Sequence, residues 1–298
     1  MTFTVATSVD EALNALAAGA RPIAGGTDLV VGSRQGKAPL PEALIAIDRL
    51  EELSRIEVGE NTTRIGSGVT HARLMTDPAV VSDYTAIADA AALVGSPATR
   101  NVGTVGGNVM NGSPAMDTGA PLVVLGAVAE LASAGGTRQV GLEELWTGPG
   151  STSAHDGELC TALIMPNRGE RSASAYIRLE YRRAMEIAIV GAAASVDLNE
   201  DGSVGAARVA LTAVAPTILE VTDLDSISGT SVDDAAAAVA ELASEQAMPI
   251  SDLRASDRYR RHTIGVMARR ALDAAARRAS GESIAVPLNR ALGVGATA

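Results

Sequence analysis

Residues 94–118 read VGSPATRNVGTVGGNVMNGSPAMDT, and the interpretation of the chain begins with this stretch. It contains five glycines and only two charged residues, Arg100 and Asp117. It has too little periodicity for a helix or an ordinary strand. Glycine permits positive φ and has no Cβ, so such a segment can bring several backbone N–H groups close to one ligand. The stretch therefore predicts a loop that binds an anion, and a pyrophosphate suits it best.

A second glycine-rich stretch, PIAGGTD, lies upstream at residues 22–28. Taken alone, Gly25 and Gly26 could form a tight turn, and residues 103–108 could be a bulged loop between strands. Together the two stretches predict loops that close on a dinucleotide from both sides. Charge-assisted hydrogen bonds from backbone N–H groups contribute about 1.5–3 kcal/mol each, so four or five donors would hold a flavin or nicotinamide dinucleotide.

Asp28 and Asp117 need an explanation if the loops bind a diphosphate. A carboxylate ~4 Å from a phosphate is repelled by ~1 kcal/mol in water and by more in a crevice. Both side chains should therefore face away from the phosphates. We expect Asp28 or Thr27 to cap the helix that follows the first loop, and Asp117 to accept hydrogen bonds from ribityl or ribose hydroxyls.

Composition limits the class of protein. The chain has 298 residues, of which 47% are hydrophobic and 20% charged, which is typical of about two globular domains. A net charge of −11 and only six aromatic residues (one Phe, one Trp, four Tyr) argue against a nucleic-acid partner. No apolar run approaches the ~20 residues of a membrane span, and the first residues do not resemble a signal peptide, so we expect a cytoplasmic protein.

The single cysteine, Cys160, excludes a disulfide, a thiolate zinc site and an iron–sulfur cluster held by this chain alone. The three histidines, His71, His155 and His262, are far apart and lack metal-ligand spacing, so we expect surface or capping residues. The chain also lacks a Gly-x-Gly-x-x-Gly dinucleotide fingerprint and a Gly-x-Ser-x-Gly nucleophile elbow. Residues 32–38, GSRQGKA, are one residue too short for a phosphate-binding P-loop.

Element patterns predict an α+β chain of two domains. A polar stretch without apolar periodicity at residues 168–174 suggests the boundary between them. Beyond it, residues 173–179, 187–198 and 203–214 should form three consecutive strands. Two helices should follow, at residues 232–243 and 257–278. A run of strands followed by a run of helices is typical of an α+β domain.

The same residues carry a resemblance to a known family. The motifs AGGTDL at 24–29, RNVGTVGGN at 100–108 and NGSPAMD at 111–117 resemble the FAD-binding medium subunit of molybdenum hydroxylases. This is the xanthine dehydrogenase and carbon monoxide dehydrogenase family. The segment SDLRASDRYRR at 251–261, followed by ARRA at 268–271, is similar to the C-terminal domain of these subunits. The resemblance covers nearly the whole chain.

The resemblance implies a fold and its divisions. Residues 1–171 would form a two-part FAD-binding domain of the vanillyl-alcohol oxidase (PCMH) type, with subdomains at about 1–54 and 55–171. Residues 172–298 would form the C-terminal domain, a three-stranded antiparallel sheet with helices. Thr27 stands where some relatives of the wider fold carry a histidine for covalent flavin attachment, so the resemblance implies non-covalent FAD.

The resemblance also implies roles for individual residues. Asp117 matches a carboxylate that contacts the sugar chain, Arg178 a basic flavin contact, and Leu163 or Ile164 an apolar residue beside the ring. Val94 stands where some relatives have an aromatic residue over the flavin. No residue is expected to be catalytic or to bind a metal. The expected cofactor-binding residues are Ile23, Ala24, Gly25, Gly26, Thr27, Asp28, Leu29, Thr104, Gly107, Asn108, Asp117, Ile164 and Arg178.

The implied function is electron transfer within a molybdopterin-dependent hydroxylase or dehydrogenase, an oxidoreductase. A small partner would carry [2Fe–2S] clusters, a large partner molybdopterin, and electrons would pass through FAD to NAD or another acceptor. A dimer of heterotrimers is the implied assembly. The substrate stays open among purines, aldehydes, carbon monoxide and N-heterocycles. Two alternatives are a free-standing flavoprotein oxidoreductase of the same fold and a flavin-less scaffold that keeps the loops only as turns.

Overall fold

The computed structural model describes residues 1–294, and it begins with a small parallel α/β unit. Three strands, β1 (Thr2–Val5), β2 (Arg21–Ile23) and β3 (Ala43–Ala46), form a parallel sheet in the order β1-β3-β2. Helices α1 (Val9–Ala17) and α2 (Leu29–Arg34) connect them. The Ser8 hydroxyl accepts a hydrogen bond from the Glu11 N–H and caps α1. The unit therefore presents the first glycine stretch directly after β2.

The second unit is built on a five-stranded antiparallel sheet with helices packed against it. Its strand order is β4-β5-β10-β6-β7, and a separate two-stranded sheet is formed by β8 and β9. Most of the second glycine stretch is helical, at Pro97–Val102 and Val105–Asn111, so the prediction of a loop too irregular for a helix is wrong there. Caps at Ser96 and Thr104 and the left-handed Gly112 make two short helices possible despite the glycines. The elements in chain order are β4 (Ile56–Val58), β5 (Thr62–Gly66), α3 (His71–Leu74), α4 (Pro78–Asp83), α5 (Thr85–Ala91), α6 (Pro97–Val102), α7 (Val105–Asn111), α8 (Gly119–Val124), β6 (Val128–Ser133), β7 (Gly136–Gly141), α9 (Leu142–Leu145), β8 (Trp146–Gly148), β9 (Ser151–Thr152) and β10 (Leu159–Pro166).

The third unit has four strands, so the three-stranded sheet predicted from the resemblance is wrong. Three long strands are present as expected, but a two-residue strand, Leu219–Glu220, pairs with the last of them and extends the sheet. So short a strand has no detectable alternation in the sequence, which is why it was missed. In chain order the elements are β11 (Ser172–Leu179), β12 (Val190–Leu198), β13 (Val204–Thr212), β14 (Leu219–Glu220), α10 (Val232–Gln246), α11 (Asp257–Ala279) and α12 (Leu288–Ala291).

Buried apolar residues fall into three clusters that follow these units. One cluster is drawn mostly from the first unit, one mostly from the second, and one joins the four-stranded sheet to α10 and α11. Tyr176, Ala193 and Ala210 of the third unit pack in the second cluster, so the units are joined through apolar contacts. The division at 1–54, 55–171 and 172–298 stays a prediction, and its residues 295–298 lie outside the described part of the chain.

Within residues 1–294, no helix is both long enough and apolar enough to cross a membrane.

Candidate functional site

The two glycine stretches meet in the folded chain. A Cβ built on Gly25 would lie 1.9 Å from the carbonyl oxygen of Val102 and 2.9 Å from the backbone nitrogen of Gly103. The structure therefore brings the first loop against the second so closely that only glycine fits at position 25. This contact joins the first unit to the second at the place where both loops open to solvent.

Close contact between backbone segments also fixes the position of the second glycine stretch. The N–H of Gly106 donates to the Ser67 carbonyl at 2.8 Å, and a Cβ on Gly106 would lie only 2.4 Å from the Ser67 Cβ. The Thr104 hydroxyl accepts from the N–H of Gly107 at 3.1 Å and caps α7. Gly112 ends α7 in the left-handed region, at φ 61°. Gly106 thus allows the close approach to Ser67, and Gly112 ends the helix. Gly107 is exposed.

The first loop presents backbone donors. Gly26 has φ 65°, and this turn leads from β2 into α2. The N–H groups of Gly25, Gly26, Thr27 and Asp28 have no protein acceptor within residues 1–294. Unpaired donors before a helix are satisfied by water or by a ligand. The loop can therefore bind an acceptor-rich group.

The predicted cap of α2 is wrong for Asp28. Its side chain makes no capping hydrogen bond, and its backbone is helical, with φ −93° and ψ −47°. A capping residue needs extended backbone angles to turn its side chain back onto the helix amides, and Asp28 lacks them. Asp28 is one of the residues that line the cavity, and partial burial raises the pKa of its carboxyl group although Lys37 opposes the shift.

A cavity of about 970 Å³ lies along both loops. This volume falls near the upper end of the ~300–1,000 Å³ typical of small-molecule sites. Nine of the predicted residues line it, namely Ile23, Ala24, Gly25, Gly26, Thr27, Asp28, Leu29, Thr104 and Gly107. The cavity is further lined by residues that sequence reasoning missed, including Ser67, Met110, Asn111, Thr152, His155 and Leu159. Asn111 lies one turn after Gly107 on α7, so helical spacing could have identified it.

Four predicted residues lie away from the cavity lining: Asn108, Asp117, Ile164 and Arg178. The Asp117 carboxylate is buried and accepts hydrogen bonds from the Tyr176 hydroxyl at 2.7 Å and from Arg178 Nη1 at 2.6 Å. Arg178 is 0% exposed, and its Nε donates to Glu180 at 2.9 Å. Burial raises the pKa of Asp117, and the Arg178 guanidinium opposes that rise. Asp117 and Arg178 thus form a buried ion network.

His71 corrects the expectation that the histidines are surface or capping residues. It is 2% exposed, and its backbone N–H donates to the Gly103 carbonyl at the junction of the loops. Burial, reinforced by the charge of Arg100, lowers the pKa of His71 to about 4. The imidazole is therefore neutral at pH 7. His155 lines the cavity rim and His262 is exposed, as expected of surface residues.

The site fits a pyrophosphate. The first loop offers unpaired N–H donors, and Gly107 lines the cavity without a side chain; a Cβ there would lie only 3.1 Å from the Thr104 hydroxyl oxygen. Among residues 1–294 there is no group of three His, Cys, Asp or Glu side chains placed to hold a metal ion. The Cys160 thiol is buried and its pKa is raised to about 12, so it is not a thiolate at pH 7.

Comparison with known families identifies the ligand. Residues 1–168 match the family described as the FAD binding domain in molybdopterin dehydrogenase. The chain is an FAD-binding subunit of the molybdenum hydroxylase family. Residues 175–275 of this FAD subunit match the CO dehydrogenase flavoprotein C-terminal domain. Its cofactor is FAD, and its relatives are dehydrogenase subunits, which makes it an oxidoreductase subunit.

Individual relatives agree with this assignment. A putative xanthine dehydrogenase FAD-binding subunit of Escherichia coli is 30% identical over 93% of the FAD subunit and 96% of the relative. The carbon monoxide dehydrogenase medium chain of Afipia carboxidovorans is 32% identical over 90% of this chain and 92% of its own. A structure of carbon monoxide dehydrogenase from Hydrogenophaga pseudoflava superimposes with a TM-score of 0.87 at 30% identity, over 92% of this chain and 96% of the other.

Proposed function

We propose that this FAD subunit is the electron-transfer subunit of a molybdopterin-dependent hydroxylase and holds FAD between partner [2Fe–2S] clusters and NAD or another acceptor. A small chain would carry the clusters and a large chain the molybdopterin, in a dimer of heterotrimers. The single Cys160 supports placing the iron–sulfur clusters on another chain, since one thiolate is fewer than the four that such a cluster uses. The PCMH-type fold of residues 1–171 and a cytoplasmic location belong to the same proposal.

One observation carries the proposal: the two glycine stretches touch, and the first has unpaired N–H groups on residues that line a cavity of about 970 Å³. Donors from Gly25 to Asp28 would hold the diphosphate, with Gly107 leaving room beside it. Bound FAD supplies redox chemistry that no protein side chain provides. The protein positions the cofactor. Because His71 is neutral, the positive charge near the loop junction comes from Arg100.

The residues on the buried ion network have a different part in the proposal. Asp117 and Arg178 are matched by resemblance to the sugar chain and the flavin, although both are bonded to protein. We propose that they form the wall behind the flavin end of the site, with Ile164 of β10 on the apolar side. Thr27 in the first loop supports non-covalent attachment.

Gly107→Val tests the site. Among residues 1–294, the new Cβ would approach the Thr104 hydroxyl oxygen at 3.1 Å and no backbone atom of another segment within 4 Å, so we expect the variant to fold. We expect purified Gly107→Val protein to lose the visible flavin absorbance of the wild type. Gly169→Val is the control away from the cavity, because Gly169 is exposed and a Cβ there has no described neighbour within 4 Å. Wild-type FAD affinity in Gly107→Val would disprove the loop assignment.

Co-purification tests the assembly. A tagged FAD subunit expressed with the neighbouring dehydrogenase chains should retain a cysteine-rich small chain and a molybdopterin-containing large chain. A flavin-loaded subunit that stays alone and oxidises a small molecule directly would support the free-standing oxidoreductase. Absence of flavin in the wild-type protein would support the flavin-less scaffold.

A further inference from the structure

Side chains close the outer edge of the third unit's sheet at β11. Within residues 1–294, β11 pairs with β12 on one side and with no strand on the other. Backbone groups on such an open side need other partners. The Ser174 carbonyl accepts from Arg278 Nη1 at 3.0 Å, and the Tyr176 N–H donates to Asp89 Oδ2 at 3.2 Å. Side chains from α11 and α5 thus take the place of a neighbouring strand.

Asn289 of α12 closes the same edge at Arg178. Its Oδ1 accepts from the Arg178 backbone N–H at 3.0 Å, and its Nδ2 donates to the Arg178 carbonyl at 2.9 Å. A backbone N–H only donates and a carbonyl only accepts, so the two contacts fix both ends of the amide. Asn289 and Arg178 are both 0% exposed, so neither backbone group can turn to bulk water if the amide is lost. Asn289 lies outside residues 175–275, and the family match assigns it no role.

The residues on either side of this asparagine anchor α12. The Leu288 N–H donates to Asp89 Oδ1 at 2.8 Å, and Arg290 Nη1 donates to Glu180 Oε1 at 2.5 Å. The Glu180 side chain is 0% exposed, and its Oε2 accepts from Arg178 Nε at 2.9 Å. Three consecutive residues of α12 therefore contact buried charged residues of the two ion networks. The asparagine amide acts from a position that is fixed on both sides.

We propose that Asn289 is a positioning residue that holds the main chain of Arg178 and so keeps the Arg178 guanidinium on Asp117. The inference rests on the proposed function, which places Asp117 and Arg178 behind the flavin end of the site. Arg178 Nη1 lies 2.6 Å from Asp117 Oδ2, and a side chain moves with its own backbone. Loss of the amide lets the edge of β11 shift and lengthens this ion pair. Asn289 does not line the cavity, so it acts on the site through Arg178.

Asn289→Leu tests the role of the amide. Leucine has a similar size but neither donates nor accepts, so both Arg178 backbone groups lose their partner. We expect FAD to bind more weakly by about threefold to tenfold, measured by flavin fluorescence titration of FAD-depleted protein at a temperature where the variant is folded. Wild-type affinity in the folded variant would overturn the inference.

The matched control is Asn167→Leu. The Asn167 amide also binds main chain, since its Nδ2 donates to the carbonyls of Gly59 and Glu60 at 2.8 Å and 3.1 Å, but it does so in the second unit. This variant should lose stability to chemical denaturation and keep the wild-type FAD affinity. An equal loss of FAD affinity in both leucine variants would show a general effect of destabilisation and would refute the positioning role.

The reduction potential of bound FAD gives a readout that lost stability alone does not move. Withdrawing a guanidinium from the flavin end removes positive charge that favours the reduced, more negative flavin. Spectroelectrochemical titration should therefore give a lower potential for Asn289→Leu than for wild type, and an unchanged potential for Asn167→Leu. Equal potentials in Asn289→Leu and wild type would contradict the displacement of Arg178.

A double-mutant comparison tests whether the effect passes through Arg178. In an Arg178→Met background, Asn289→Leu should weaken FAD binding no further, since there is no guanidinium left to position. A full additional loss in that background would refute the proposal.

Asn289→Ala keeps the proposal testable if Asn289→Leu does not fold. The smaller side chain leaves room for water to satisfy the Arg178 backbone groups, but water does not fix their position. FAD affinity should again fall, and wild-type affinity would exclude the positioning role. If wild-type protein binds no FAD, the proposed function fails; if wild type binds FAD and the Asn289 variants bind it equally well, only this inference fails.

Discussion

At the scale of single residues, His71 is a neutral base buried where the two glycine loops meet. Its backbone N–H bonds to Gly103, and its ring lies close to the same glycine, with Cδ2 3.4 Å from the position of a Cβ there. Its Nδ1 is buried and has no partner within the described residues. Burial first, and the charge of Arg100 second, lower the pKa of His71 to about 4. The neutral ring therefore keeps a second positive charge away from the loop junction.

This pKa predicts acid sensitivity. Unfolded His71 titrates near 6.5 and folded His71 near 4, so below pH 6.5 the unfolded state binds the extra proton. Stability is therefore fully present above pH 6.5 and decreases as the pH falls toward 4, by about 3 kcal/mol from this residue. Urea unfolding of wild type and His71→Leu between pH 7 and pH 4 measures the difference. Parallel pH profiles for the two proteins would contradict the prediction.

At the scale of elements, the contact between the turn after β2 and the C-terminal end of α6 defines the site. The carbonyl of Val102 and the backbone nitrogen of Gly103 occupy the space where a side chain at position 25 would lie. Backbone atoms cannot rotate away as the end of a side chain can. The two loops therefore keep their spacing only while residue 25 is glycine.

Gly25→Ala should separate the loops. The new Cβ would lie 1.9 Å from the Val102 oxygen, so backbone must move, at a cost of about 1–3 kcal/mol in unfolding free energy. FAD binding should weaken as well. Gly32→Ala is the control: it lines the same cavity from α2, its Cβ meets nothing within 4 Å, and alanine favours the helix. Equal stability of both variants, measured by chemical denaturation without FAD, would contradict this account.

At the scale of the whole molecule, a buried ion pair fastens the second unit to the third. Asp89 of α5 is fully buried and accepts from Arg278 Nη1 of α11 at 2.6 Å. The same carboxylate accepts from the N–H groups of Tyr176 and Leu288. Four separate segments therefore converge on one side chain, and the residues after α11 are part of the folded unit.

Arg278→Met should be strongly destabilising, by about 3–5 kcal/mol, because it leaves the Asp89 charge buried without its partner. Arg277→Met is the matched control from the next position. Arg277 pairs with Glu282 on the surface, where the side chains are 42% and 46% exposed, so its loss should cost no more than about 1 kcal/mol. Asp89→Asn in the Arg278→Met background should recover part of the stability. Similar unfolding free energies for the two arginine variants would refute the role of the pair.

Several features could be predicted from the sequence alone because they depend on neighbouring residues. The glycine clusters located both halves of the site, although most of the second stretch is helical and not the loop that its glycine content predicted, and the motifs in them identified the FAD subunit family. The long strands and helices of the third unit follow apolar periodicity, so β11, β13, α10 and α11 were confirmed within a few residues. The two-residue β14 has no such pattern and was missed.

The tertiary structure alone decided which residues share a surface. Sequence cannot tell that Gly25 rests on Val102, that His71 is buried between the loops, or that Thr152 and His155 complete the cavity wall. It also cannot tell that Asp117 and Arg178 bond to each other and to Tyr176. These arrangements depend on packing between segments distant in the chain, and burial and pairing arise only when those segments meet.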